Sequence, residues 1–175
     1  MYKGYVQGSQ RPAFSDRAAM TSGDRCPRWL RICLAVFAVG VACNYLWEVS
    51  QAYLFVGMVS LRAIWWHCFI AALGDGIVLL AIHLVGWIVF QRDGWFIPAG
   101  RVETALMLGM GFAAAVGIEW FALHVLQRWA YTEQMPIVPG LAIGLTPVLQ
   151  MLVLPPLTFW MVGKWCNLEY KPRAP

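Results

Sequence analysis

Four long apolar stretches restrict this chain to one kind of fold. They run from about Trp29 to Phe55, Ile64 to Phe90, Thr104 to Gln127 and Val138 to Trp165, and each reaches or exceeds the roughly 20 residues a helix needs to cross a bilayer. None alternates polar and apolar residues as the strands of a membrane barrel do. The composition agrees, with 60% hydrophobic and 13% charged residues, against about 25% charged in soluble domains. The expected fold class is all-α: a polytopic membrane protein whose bundle, residues 29–166, holds four transmembrane helices over about 29–55, 64–90, 104–127 and 138–165. A polar N-terminal tail, 1–28, and a short C-terminal tail, 167–175, complete the chain and leave no room for a separate soluble domain.

Orientation follows from the cations. With the N-terminus inside, Lys3, Arg11, Arg17, Arg25, Arg28, Arg31, Arg92, Arg101, Lys164, Lys171 and Arg173 are cytoplasmic, and only Arg62 and Arg128 are outside. The positive-inside rule therefore predicts both termini in the cytoplasm. Topology and anionic lipid account for the net charge of +4, so it is no argument for nucleic acid. The tail 1–28, rich in Gly, Ser, Pro and Arg, has no helical or strand period and reads as disordered when alone, with a neighbouring membrane chain the expected tether. The apolar stretch after it is too long for a cleavable signal. The five cysteines (Cys26, Cys33, Cys43, Cys68 and Cys166) lack metal-site spacing and read as reduced, buried apolar residues; a Cys43–Cys68 disulfide is the alternative.

The informative residues are the ionisable and amide groups inside these apolar stretches, where each is costly without a partner or a purpose. Asn44, Glu48 and Gln51 are spaced i, i+4, i+7 and project from one helix face. Asp75 falls near the middle of the second stretch within Gly74-Asp75-Gly76, whose glycines permit close backbone approach. Glu119 ends a run of small residues (Gly109, Gly111, Ala113, Ala114, Ala115 and Gly117) expected to form one packing face. His124 points about 140° away from Glu119 on a regular helix, so the two are poor partners. Thr146-Pro147, Gln150 and Pro155-Pro156 lie in the fourth stretch, where prolines free carbonyls that protein or a cavity must satisfy. Helix-to-helix hydrogen bonding explains Asn44 and Gln51 adequately; an intramembrane acid is a functional-site candidate by default. Glu48, Asp75 and Glu119 are thus the candidate catalytic residues, and Asn44, Glu48, Gln51, His67, Asp75, Glu119, His124 and Gln150 the candidate ligand-binding cluster. His67, near the interface, and His83, standing alone, read as structural histidines. Glu103 suits the start of a helix dipole without further role.

No phosphate-binding glycine loop, nucleophile elbow, paired zinc-binding histidines or haem-type histidine pair occurs. No histidine sits three or four residues from another histidine or acid, so no metal site is expected.

The set Asn44-x-x-Trp47-Glu48-x-x-Gln51, Gly74-Asp75, Glu119-Trp120, Trp129-x-Tyr131-x-x-x-Met135-Pro136 and Gly144-Leu145-x-Pro147-x-x-Gln150 resembles an uncharacterised family of small four-helix bacterial integral membrane proteins. That resemblance implies a bacterial inner membrane and a four-helix fold, and transfers no chemistry. A similarity to the emopamil-binding sterol isomerases, which bury acids in a small helical bundle, is one of architecture and transfers no residue.

Two function classes fit these features. The favoured expectation is an accessory subunit of a larger, energy-transducing membrane complex, photosynthetic or respiratory, contacting neighbouring helices, lipid, quinone or pigment; it rests on small size, missing motifs, polar tails and ten tryptophans. The alternative is a small membrane-embedded enzyme or lipid/isoprenoid-binding protein in which Glu48, Asp75, Glu119 and Gln150 line an outer-half pocket as proton donor and acceptors.

Overall fold

A computed structural model describes residues 27–58 and 60–166; the two tails, apart from Pro27 and Arg28, lie outside the described residues. The fold is mostly helical. Its helices are α1 (Arg28–Gln51), α2 (Leu61–Phe90), α3 (Arg101–Trp120) and α4 (Leu145–Trp165), and all four are long and apolar enough to cross a membrane.

Local chemistry sets the ends. Helix α2 starts three residues before the expected position because the Ser60 side chain accepts from Ala63 N at 3.2 Å, an ordinary N-cap. It stops where Gln91 turns left-handed, at φ 52°. Helix α3 does not run to Gln127 as expected: its α-geometry ends at Trp120, widens into a π turn over Phe121–Val125 and reverses at Gln127, φ 48°. The fourth helix likewise starts late. Pro136 and Pro139 withhold backbone donors there, and residues 137–144 form a hairpin of β1 (Ile137–Val138) and β2 (Ile143–Gly144), antiparallel with Ile137 opposite Gly144. Pro147 falls in the first turn of α4, where its missing N–H costs nothing.

The helices approach closely where the sequence supplies glycine. A side chain on Gly76 would collide with Val41 and Phe37, so this residue sets the crossing of α1 and α2. Of the six small residues expected to form one face of α3, only Gly111 and Ala115 are buried; Gly109 and Gly117 face open space. Gly111 meets the Met151 carbonyl oxygen of α4 directly, and a methyl there would overlap it. That carbonyl is four residues before Pro155, whose missing N–H frees it from the helix ladder. Helix α4 nevertheless continues through Pro155-Pro156 without a break.

One end of the bundle is closed by the loop 91–100. Trp95 and Phe96 of this loop are buried. The Trp95 ring fits over Gly86, stacks on Phe90 at 5.4 Å and donates to the His83 carbonyl at 3.0 Å. Arg92 pairs with Glu103 at 2.8 Å, giving Glu103 a partner beyond the helix dipole. Cys33, Cys43, Cys68 and Cys166 are free thiols; Cys26 lies outside the described residues. At the other end the two remaining connections are laced together, Val56 N to Ala130 O and Thr132 N to Leu54 O, both 2.9 Å.

Gly111→Ala should destabilise the bundle by about 1–3 kcal/mol, because a backbone carbonyl cannot step aside as a side chain can. Gly109→Ala and Gly117→Ala should be neutral or slightly stabilising. Denaturant unfolding of the three variants in detergent micelles checks this ordering.

Candidate functional site

Five of the eight candidate residues meet in one hydrogen-bonded network spanning α1, α2 and α4, with Gln150 at its centre. The Gln150 amide donates to Asn44 Oδ1 at 2.9 Å and to Asp75 Oδ2 at 2.8 Å, and its oxygen accepts from Gln51 Nε2 at 3.1 Å. The second proton of Gln51 Nε2 goes to Glu48 Oε1 at 3.0 Å, and Gln51 Oε1 accepts from the Trp47 indole at 3.2 Å. Asn44 is oriented in turn because its nitrogen donates to the Gly40 carbonyl at 2.8 Å. The pattern fixes each amide: a flipped Gln150 would set its oxygen against the Asn44 oxygen and the Asp75 carboxyl.

The amides form a dry centre and the acids its edge. Asn44, Gln51 and Gln150 are 0%, 4% and 2% exposed, whereas Glu48 and Asp75 are half-buried.

Glu119 stands beside this network in a clamp of its own. Its Oε2 accepts from the Tyr131 hydroxyl and from the Trp129 indole, the latter at 3.4 Å. The π turn and the reversal at Gln127 bring both residues back onto the helix they follow. Gly144 N donates to the Tyr131 oxygen at 2.9 Å, and a side chain on Gly144 would press on the Tyr131 ring and on Met135. Burial first, and then the Glu119 carboxyl, push the Tyr131 phenol well above its ordinary value, so its proton stays available to Glu119. Glu48, Asp75 and Glu119 lie within electrostatic reach of one another.

Each acid commits one oxygen and keeps the other free. Glu48 Oε2, Asp75 Oδ1 and Glu119 Oε1 have no hydrogen-bond partner among the described residues, and Glu119 as a whole is buried, 7% exposed. The buried polar atoms without partners are elsewhere, His83 Nδ1 and Thr158 Oγ1. None of the three acids forms an ion pair among the described residues, where the one such pair is Arg92 with Glu103 at the far end. Nor does any group of three His, Cys, Asp or Glu side chains among the described residues have the geometry to hold a metal ion.

The other candidates fall outside. His67 is exposed and its Nδ1 lies 2.8 Å from the Ala63 carbonyl of its own turn. His124 is exposed in the π turn, its ring 5.6 Å from Trp120. His83 is buried between Phe96 and Phe159, a packing role. Conversely, Trp129 and Tyr131, which were not among the candidates, are the partners of Glu119; their place together in the Trp129-x-Tyr131-x-x-x-Met135-Pro136 pattern was the available signal. No family model, curated protein or solved structure matches the chain.

Gln150→Leu should destabilise the protein by about 1–3 kcal/mol, since it strands the buried Asn44 oxygen and a Gln51 proton. Asn44→Leu should cost a similar amount, and the double variant less than the sum because the two share a bond. Unfolding in mixed micelles measures all three; strict additivity would disprove the shared bond.

Proposed function

We propose that this chain spans a membrane four times with both termini on the cytoplasmic side, and that its acid cluster binds a lipid-soluble molecule through a polar head and exchanges protons with it. The described cations support that orientation: Arg28, Arg31, Arg92, Arg101 and Lys164 belong to the end closed by Trp95, and Arg62 and Arg128 to the opposite end. Resemblance to a bacterial family is what points to a bacterial inner membrane. The substrate class follows from the surroundings, apolar helices on every side of a small polar centre, as in lipid and isoprenoid sites.

One observation carries the reading. Three acids from three helices each hold position through one oxygen and leave the other without a hydrogen-bond partner among the described residues. Interhelical gluing engages polar atoms and stops there. A free oxygen on every acid is what a proton donor or acceptor requires. Glu48, Asp75 and Glu119 are the groups that would meet the ligand, while Asn44, Gln51 and Gln150 hold two of them in place and Tyr131 and Trp129 hold the third.

The test is labelling with dicyclohexylcarbodiimide, an apolar reagent that attacks protonated carboxyls from the lipid phase. Glu48, Asp75 and Glu119 should be labelled in preference to Glu103 and Glu133, each adduct should vanish in Glu48→Gln, Asp75→Asn or Glu119→Gln, and a fraction of native lipid extract should protect all three. Labelling of Glu103 and Glu133 alone would refute the site.

A second reading, an accessory subunit of an energy-transducing membrane complex with quinone or pigment contacts, is supported by the exposed tryptophans. Trp65, Trp66, Trp160 and Trp165 are all at least 60% exposed, although interfacial tryptophan is general in membrane proteins. Gentle purification from native membranes separates the readings. A large coloured particle would favour the subunit; a colourless one of one to three copies would favour the acid site.

A further inference from the structure

At the end of the bundle away from the acids, the start of α1 and the end of α4 lie side by side with a groove of about 510 Å³ between them. Arg28 and Arg31 stand one turn apart on its rim, and Ala35 and Ala38 continue the same line along the helix. Leu34, 57% exposed, and Trp165, 70% exposed, flank it. Both arginines are exposed and neither has a carboxylate partner among the described residues. The groove therefore pairs two guanidinium groups, without a carboxylate partner among the described residues, with an apolar trough wide enough for a small ligand.

We propose that this groove binds one anionic phospholipid, its phosphate between Arg28 and Arg31 and an acyl chain over Ala35 and Ala38. The planar guanidinium fork matches phosphate oxygens and keeps its charge at every working pH. A basic pocket between helices at the cytoplasmic surface is where anionic headgroups are held, and an exposed indole such as Trp165 settles at headgroup level. Free phosphate would use the arginines and leave the apolar trough uncovered; a phospholipid satisfies both. This inference rests on the four-span membrane reading and is independent of the chemistry assigned to the acids.

Native mass spectrometry of the full chain released from micelles, with phosphatidylglycerol or phosphatidylcholine added, tests it. The chain should retain one phosphatidylglycerol, and Arg28→Gln/Arg31→Gln should retain it about thirty-fold less, the worth of two basic side chains near an anionic surface. Ala38→Leu, which fills the trough and leaves both arginines, should also weaken retention. Arg62→Gln/Arg128→Gln, the charge-matched control at the other end, should leave it unchanged. Equal retention by the Arg28/Arg31 variant, equal loss in the control pair, or complete competition by inorganic phosphate would each overturn the proposal. Failure of the membrane reading looks different: the wild-type chain itself would not fractionate with membranes.

Discussion

An acid placed among apolar helices without a cation must find hydrogen-bond donors, and that requirement organises this molecule. Three carboxyls meet it with amides, a phenol and an indole. Gln150 is the hub of the network, because a primary amide supplies two donors and an acceptor from one planar group. It joins Asn44, Gln51 and Asp75 from two other helices, and Gln51 extends the chain of bonds to Glu48. In a low-dielectric interior such a network is valuable when every donor is used and costly when one is lost.

The rest of the fold serves that meeting of helices. Bonds of about 3 Å across three helices need backbones that approach closely, and Gly76 allows it between α1 and α2, while Gly111 brings α3 against α4. Pro155 contributes by releasing the Met151 carbonyl, which settles against Gly111 rather than into its own helix. The π turn after Trp120 has a comparable effect. By shifting the helix phase and ending it early it returns Tyr131 to Glu119, and π turns are frequent at functional positions. Trp95, buried at the opposite end, closes the bundle where no acid needs it.

Much of this was legible in the residues. Helix number and approximate extent followed from apolar length alone, and the i, i+4, i+7 spacing of Asn44, Glu48 and Gln51 put them on one face. That Gln150 and Asp75 would join them was the reading of polar groups at one depth. What could not be read was set by tertiary packing or local turn chemistry. The hairpin at 137–144 looks helical by apolarity, and only Pro136, Pro139 and Gly140 argue otherwise. The reversal at Gln127 has no glycine to announce it, so nothing in the sequence turned Trp129 and Tyr131 back toward Glu119. The burial of Trp95 is hidden for a related reason: a tryptophan in a loop reads as interfacial unless one knows that Gly86 leaves it a slot. His67 and His124 drew interest as residue types, and their exposure leaves them apart from the network.

The account's centre is the Gln150 side chain. Solution NMR of protein carrying 15N-labelled glutamine, in micelles, observes its two amide protons directly. The account predicts slow exchange with water for both, with Asp75→Asn shifting one and Asn44→Leu the other, while changes at His67 and His124 move neither. Resonances that exchange as fast as those of exposed Gln134 and ignore Asp75 and Asn44 would contradict it.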